Sequence, residues 1–120
     1  MKVYISLPMG GKENTVRQRY DDAVAELKTL CGSRLWPLEI HGPVNIECFT
    51  DKGLSVPCDH DWAWYMGRDL EELLRCDTIF MTEGYLLSPG CRTELAVARE
   101  RDMLVLYSEK ARQNLKSVIE

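Results

Sequence analysis

The chain has 120 residues, 45% hydrophobic and 28% charged, the balance of a single globular domain spanning residues 1–120 with apolar material enough for a core. No apolar run is long enough to cross a bilayer. A formal charge of −4, with 15 scattered Lys and Arg, speaks against a nucleic-acid duplex as partner but leaves small anions open.

The apolar, β-branched run Val3–Leu7 reads as a first strand, and it breaks at Pro8, too early for a signal peptide. A cytoplasmic protein is therefore expected. The turn Pro8-Met9-Gly10-Gly11 follows. Asn14 or Thr15 can cap a helix in which Val16, Tyr20, Ala23, Val24, Leu27, Leu30 and Cys31 recur at helical period, with Gly32 as its stop. Between Leu35 and His60 the prolines and glycines leave one plausible short strand, Gly42–Ile46, centred on Pro43–Ile46. The stretch from Glu47 to His60 is expected to be a long irregular loop of the kind that often carries function.

Asp61 caps a second helix running to about Arg75. Trp62, Met66, Asp69, Leu70 and Leu73 share its inner face, and Arg68, Glu71, Glu72 and Arg75 its outer one. Trp64 points away from the inner stripe, an unusual place for an indole, which suggests a subunit contact and a homodimer or higher homo-oligomer. Thr78–Met81 is a buried-type strand. Ser88 caps a third helix with Pro89 in its first turn, ending near Arg101. Leu104–Tyr107 is the last strand and Glu109–Ile119 the last helix. This alternation implies an α/β fold, a three-layer Rossmann/flavodoxin-like sandwich around a short parallel sheet of about four strands.

Five cysteines, Cys31, Cys48, Cys58, Cys76 and Cys91, include no CxxC pair and read as free thiols, with Cys76 and Cys91 at helix positions that need only a small buried side chain. Cys48, Cys58 and His60 fit no zinc spacing. No metal and no other cofactor are expected.

In open parallel sheets ligands bind beyond the carboxyl ends of the strands. The loop Ser6–Glu13 leaves the first strand there, and its paired Gly10 and Gly11 allow close backbone approach, although many such turns contain glycine. Ser88–Glu94 opens the third helix, and Glu94 flanks the inner stripe of Cys91, Leu95 and Ala98. It is either an acid suited to the positive end of a helix or a functional carboxylate held anionic there. Asp69 lies on an apolar stripe, where a charge is costly unless it caps a loop or is used. Two carboxylates on two helices opening at one sheet edge suit glycosidic chemistry.

The run Tyr4-Ile5-Ser6 followed by Met9-Gly10-Gly11-Lys12-Glu13 resembles the opening of the nucleoside 2-deoxyribosyltransferase superfamily, nearest its 2'-deoxynucleoside 5'-phosphate N-hydrolase branch. Asp69-Leu70-Glu71-Glu72-Leu73 with Cys76-Asp77 is similar to that group's second helix and following strand. Ser88-x-Gly90-x-x-x-Glu94-Leu95 resembles its catalytic motif, and Trp64-Tyr65-Met66 resembles a small bacterial and phage subgroup. The resemblance implies that Glu94 forms a covalent ester with C1' of the sugar, oriented by Tyr4. It implies that Asp69 binds sugar hydroxyls or assists protonation of the departing base. Ser6, Met9, Gly10, Gly11, Ser88 and Gly90 would contact substrate, the last two at a 5'-phosphate. Departures bear on substrate identity: Glu83 alone is available as the acid before the glutamate helix, and Arg92 and Thr93 are bulky. The expected function is cleavage or transfer at the N-glycosidic bond of a nucleoside or nucleoside 5'-monophosphate. The alternative is a non-catalytic nucleotide-binding or sensing module on the same fold.

Overall fold

The computed structural model describes residues 1–9, 13–31, 37–50, 53–54 and 60–113. The elements are β1 (Lys2–Ser6), α1 (Val16–Cys31), β2 (Glu39–His41), β3 (Phe49–Thr50), β4 (Gly53–Leu54), α2 (Trp62–Leu74), β5 (Thr78–Met81), α3 (Pro89–Glu100) and β6 (Leu104–Tyr107). A further helical stretch covers 109–113, and the rest of the expected last helix lies outside the described residues. The main sheet has the order β2-β1-β5-β6 and all its pairings are parallel.

Alternation along β1 and β5 sorts the core into two layers. Val3, Ile5 and Phe80 pack with Val16, Ala23 and Leu27 of α1. Tyr4, Ile79 and Met81 pack with Leu73 of α2 and with Cys91, Leu95 and Ala98 of α3. Residues Val3 to Ser6 are all buried, as expected where helices cover both faces of a parallel sheet. The result is the three-layer Rossmann-like sandwich expected from the alternation. Among the described residues, no helix is long and apolar enough to cross a membrane.

The second strand is not Pro43–Ile46. It lies at Glu39–His41, paired as Lys2↔Glu39, Val3↔Ile40 and Tyr4↔His41. Pro43 has no N–H to give a ladder, and its carbonyl instead accepts from Ile46 N at 3.0 Å in a turn that enters the 3-10 helix Ile46–Cys48. Gly42 is where the chain passes against α1: a Cβ there would lie 2.6 Å from the Tyr20 ring. The expected irregular loop also contains a small antiparallel pair, β3 with β4.

Helix starts follow the sequence signals. Asp61 Oδ1 accepts from Trp64 N at 2.9 Å, and Ser88 Oγ accepts from Cys91 N at 3.3 Å with Pro89 in the first turn. Asn14 and Thr15 lie within a 3-10 turn, Glu13–Thr15, that runs into α1. Cys91 is buried within α3, whereas Cys76 lies just past the end of α2 rather than on a helix. Cys31, Cys48, Cys76 and Cys91 are free thiols, and Cys58 lies outside the described residues.

Candidate active site

A period of two places Tyr4 and Ser6 on the same face of β1, the face turned toward α3. Helical spacing puts Cys91, Glu94, Leu95 and Ala98 on the inward stripe of α3, so Glu94 meets the end of β1 across the layer. Tyr4 Oη donates to Glu94 Oε2 at 2.5 Å, and Ser6 Oγ donates to Oε1 at 2.7 Å. Both carboxylate oxygens are thereby fixed, and Glu94 is only 5% exposed. Thr82 Oγ1 donates to the Ser6 carbonyl at 2.8 Å, which ties the carboxyl ends of β1 and β5 together beneath the site.

Burial disfavours the charged form of a carboxyl group. It pushes Glu94 up to about 7, against the opposing hydrogen bonds from Tyr4 and Ser6, with the Asp69 charge adding to the rise. The expectation of a carboxylate held firmly anionic is therefore corrected. Desolvation outweighs the two hydrogen bonds, and the group titrates near neutrality. Burial, then the charges of Glu94 and Asp69, hold the Tyr4 hydroxyl well above its ordinary range, so Tyr4 is a neutral donor.

Asp69 fills the first of the two roles left open for it, as a loop cap. Its Oδ1 accepts from Val44 N at 2.8 Å, which fastens the turn after β2. It also lines the same cavity as Glu94. Burial raises it to about 6, opposed by the Val44 bond. The cavity has a volume of about 330 Å³, at the lower end of the range for small-molecule sites.

Met9, Ser88 and Gly90 also line this cavity. A Cβ on Gly90 would meet Met66 Sδ at 3.8 Å and Ser88 Oγ at 3.9 Å, both ordinary contacts, so packing alone does not require glycine there. Tyr4 and Ser6 do not reach the wall. They lie behind Glu94, fully buried, and each donates a hydrogen bond to it, so the expectation that Ser6 contacts substrate finds no support in the lining of this cavity. Gly10 and Gly11 lie outside the described residues.

Phe49 and Tyr65 also line the cavity, and neither was expected to belong to a site. Phe49 sits on a two-residue strand too short to show a pattern. Tyr65 follows Trp62 by three residues on α2, a spacing that places neighbours on one helical face and was the available signal. Trp64 is 41% exposed but engaged within the chain: its ring stacks on His60 with centroids 3.7 Å apart. Among the described residues no three His, Cys, Asp or Glu side chains are grouped to hold a metal ion.

No curated protein and no solved structure matches this chain. Residues 1–107 match the family described as a domain of unknown function, DUF4406. That span runs from β1 through β6 and includes Tyr4, Asp69, Ser88 and Glu94. The chain belongs to the DUF4406 family.

Proposed function

We propose that this protein cleaves or transfers at the N-glycosidic bond of a nucleoside or nucleoside 5'-monophosphate, with Glu94 as nucleophile. The observation that carries this reading is the clamp on Glu94. Both carboxylate oxygens are held by hydroxyls from β1 while the side chain borders a cavity that it shares with Asp69. Buried carboxyl groups whose titration is shifted toward neutrality beside a cavity are concentrated at functional sites. The resemblance to the nucleoside 2-deoxyribosyltransferase superfamily gives Glu94 and Tyr4 the same roles, and Asp69 a part in the same chemistry.

The steps balance with the chain's own groups. A Glu94 oxygen forms a bond to C1' as the C1'–N bond breaks and its electron pair leaves with the base. Asp69, protonated in part because burial raises it to about 6, gives the base its proton. The resulting ester is then opened at C1' by water, or by the nitrogen of a second base, which makes the reaction a transfer; in either case the attacking group loses a proton to Asp69 and Glu94 leaves as the carboxylate. Tyr4 and Ser6 keep Glu94 aimed, and two fixed hydroxyls limit reorganisation as its charge changes. Ser88 and Gly90, at the start of α3, would meet a 5'-phosphate at the positive end of the helix.

The setting that goes with this reading is a reducing cytoplasm and a homo-oligomer. Leu87 is 88% exposed and Leu86 also lies open, directly before the helix that carries Glu94. Incubation with a panel of deoxynucleosides and their 5'-monophosphates, with chromatography for free base, tests the reaction class. Release from at least one member is expected. Binding without release from any of them would replace the enzyme with a sensing module.

A further inference from the structure

One short stretch of chain at the end of β2 meets α2 at two points. His41 closes β2 as the register partner of Tyr4, so its side chain falls on the face of the sheet that α2 and α3 cover. There its Nδ1 meets Glu72 Oε1, and its Nε2 meets Glu39 Oε1 at 2.9 Å. An ionised Glu72 can only accept, so the first contact is a hydrogen bond when Nδ1 carries the proton. Three residues further on, Val44 N donates to Asp69 Oδ1 at 2.8 Å. Asp69 and Glu72 are three apart on α2 and are therefore neighbours on one helical face. The turn 42–45 is thus pinned to α2 by two contacts, and one of them is made by a carboxyl group that lines the cavity.

Glu72 bears on Asp69 through charge as well as position. Burial is the main cause that raises Asp69, the Val44 bond opposes it, and the Glu72 charge adds to the rise. A ring N–H directed at Glu72 withdraws part of that charge and at the same time keeps Val44 in reach. Other groups face the pair from each side. Arg75, exposed, lies 3.7 Å from the other Glu72 oxygen, and Cys76 Sγ donates to the Glu72 carbonyl at 3.5 Å. Tyr4 and Glu94 face Asp69 from β1 and α3, and the Tyr20 ring of α1 lies against Gly42.

We propose that His41 and Glu72 are a positioning pair for Asp69: the imidazole holds the turn 42–45 on α2, keeps the Val44 amide seated on Asp69 and offsets the Glu72 charge beside it. The inference rests on the reading of Asp69 as proton donor and adds what keeps that donor in place. Neither His41 nor Glu72 lines the cavity, so both act through Asp69.

NMR titration of the isotope-labelled Asp69 carboxyl carbon, assigned by its absence in Asp69→Asn, tests this without substrate. A Glu94→Gln background removes the second carboxyl group that titrates in the same range. There His41→Ala should raise the Asp69 midpoint by about one pH unit, because the Val44 bond slackens and the Glu72 charge is no longer offset. Added to Glu72→Ala, the same change should leave the midpoint where Glu72→Ala alone puts it. His41→Gln keeps an N–H donor for Glu72 and should fall between His41→Ala and the parent chain. A His41 that only braces the fold would lower the urea midpoint and leave Asp69 titrating as before. That result, or an equal shift with and without Glu72, overturns the proposal. Base release by the wild type is measured separately. A shifted Asp69 without base release removes the glycosidic reading alone, and base release with Asp69 unmoved removes the positioning pair alone.

Discussion

Glu94 carries opposed demands, because burial raises it to about 7 while the Tyr4 and Ser6 hydroxyls favour its charged form. The folded-state value stands above the unfolded value, so the native chain binds more protons between about 4.5 and about 7. Stability contributed through this group is present below that window and is lost as pH rises through it. The loss is on the order of 3 kcal/mol if the group titrates alone. Asp69, raised from 3.8 to about 6, acts in the same direction. Urea denaturation at pH 5 and pH 8 should therefore show a fall in the wild type that is smaller in Glu94→Gln. An equal fall in both would mean that Glu94 is not the titrating group. The proposed mechanism calls for Glu94 ionised and Asp69 protonated, so kcat/KM should be bell-shaped, with apparent values near 6 and 7 that belong to the pair. Tyr4→Phe removes a hydrogen bond that favours the anion. It should slow turnover roughly tenfold and move the alkaline limb upward, whereas a purely structural Tyr4 would leave the profile in place.

At the scale of elements, α3 is the part most open to reading from sequence. Ser88 and Pro89 mark its start, and the inward stripe of Cys91, Leu95 and Ala98 places Glu94 beside the core. Replacing Ser88 with Ala removes the side-chain acceptor for Cys91 N and should cost about 1 kcal/mol, measured by urea midpoint. β2 was hidden for a physical reason. Glu39-Ile40-His41 is a three-residue edge strand held by backbone pairing to β1, with a polar residue at each end, while the more apolar Pro43–Ile46 stretch attracts the pattern yet cannot pair. Gly42 shows the same constraint from the other side. Gly42→Ala drives a Cβ into the Tyr20 ring and should destabilise the protein by about 1–3 kcal/mol. Gly90→Ala meets no such obstacle. It should fold normally yet weaken binding of phosphate-bearing ligands more than of plain nucleosides.

For the whole molecule, alternation of strands and helices was enough to anticipate the layered parallel sheet, because each strand type and each helical stripe reports which face it buries. The site was legible to the extent that it follows from those periods. They placed Glu94 and Asp69 at one sheet edge, whereas the link from Tyr4 to Glu94 came only with the family resemblance. What they did not reveal is which side chain stands in front. Ser6 touches Glu94 across a separation of 88 residues, and no local pattern distinguishes a residue behind a carboxylate from one that faces a ligand. Phe49 escaped for the same reason, since its place in the cavity depends on how the loop after β2 folds back over α1 and the sheet. The exposed Leu86 and Leu87 lead to an expectation of self-association, checked by sedimentation at micromolar concentration. A monomer there would leave these leucines without the role assigned to them.

The central claim is that Glu94 attacks the anomeric carbon, and the rate of free-base release by Glu94→Gln beside the wild type tests it most directly. Glutamine keeps the shape and an acceptor for one β1 hydroxyl but removes the charge and the nucleophile. The account predicts release at least roughly a hundredfold slower by a protein that still binds the nucleotide. Release at the wild-type rate would contradict it.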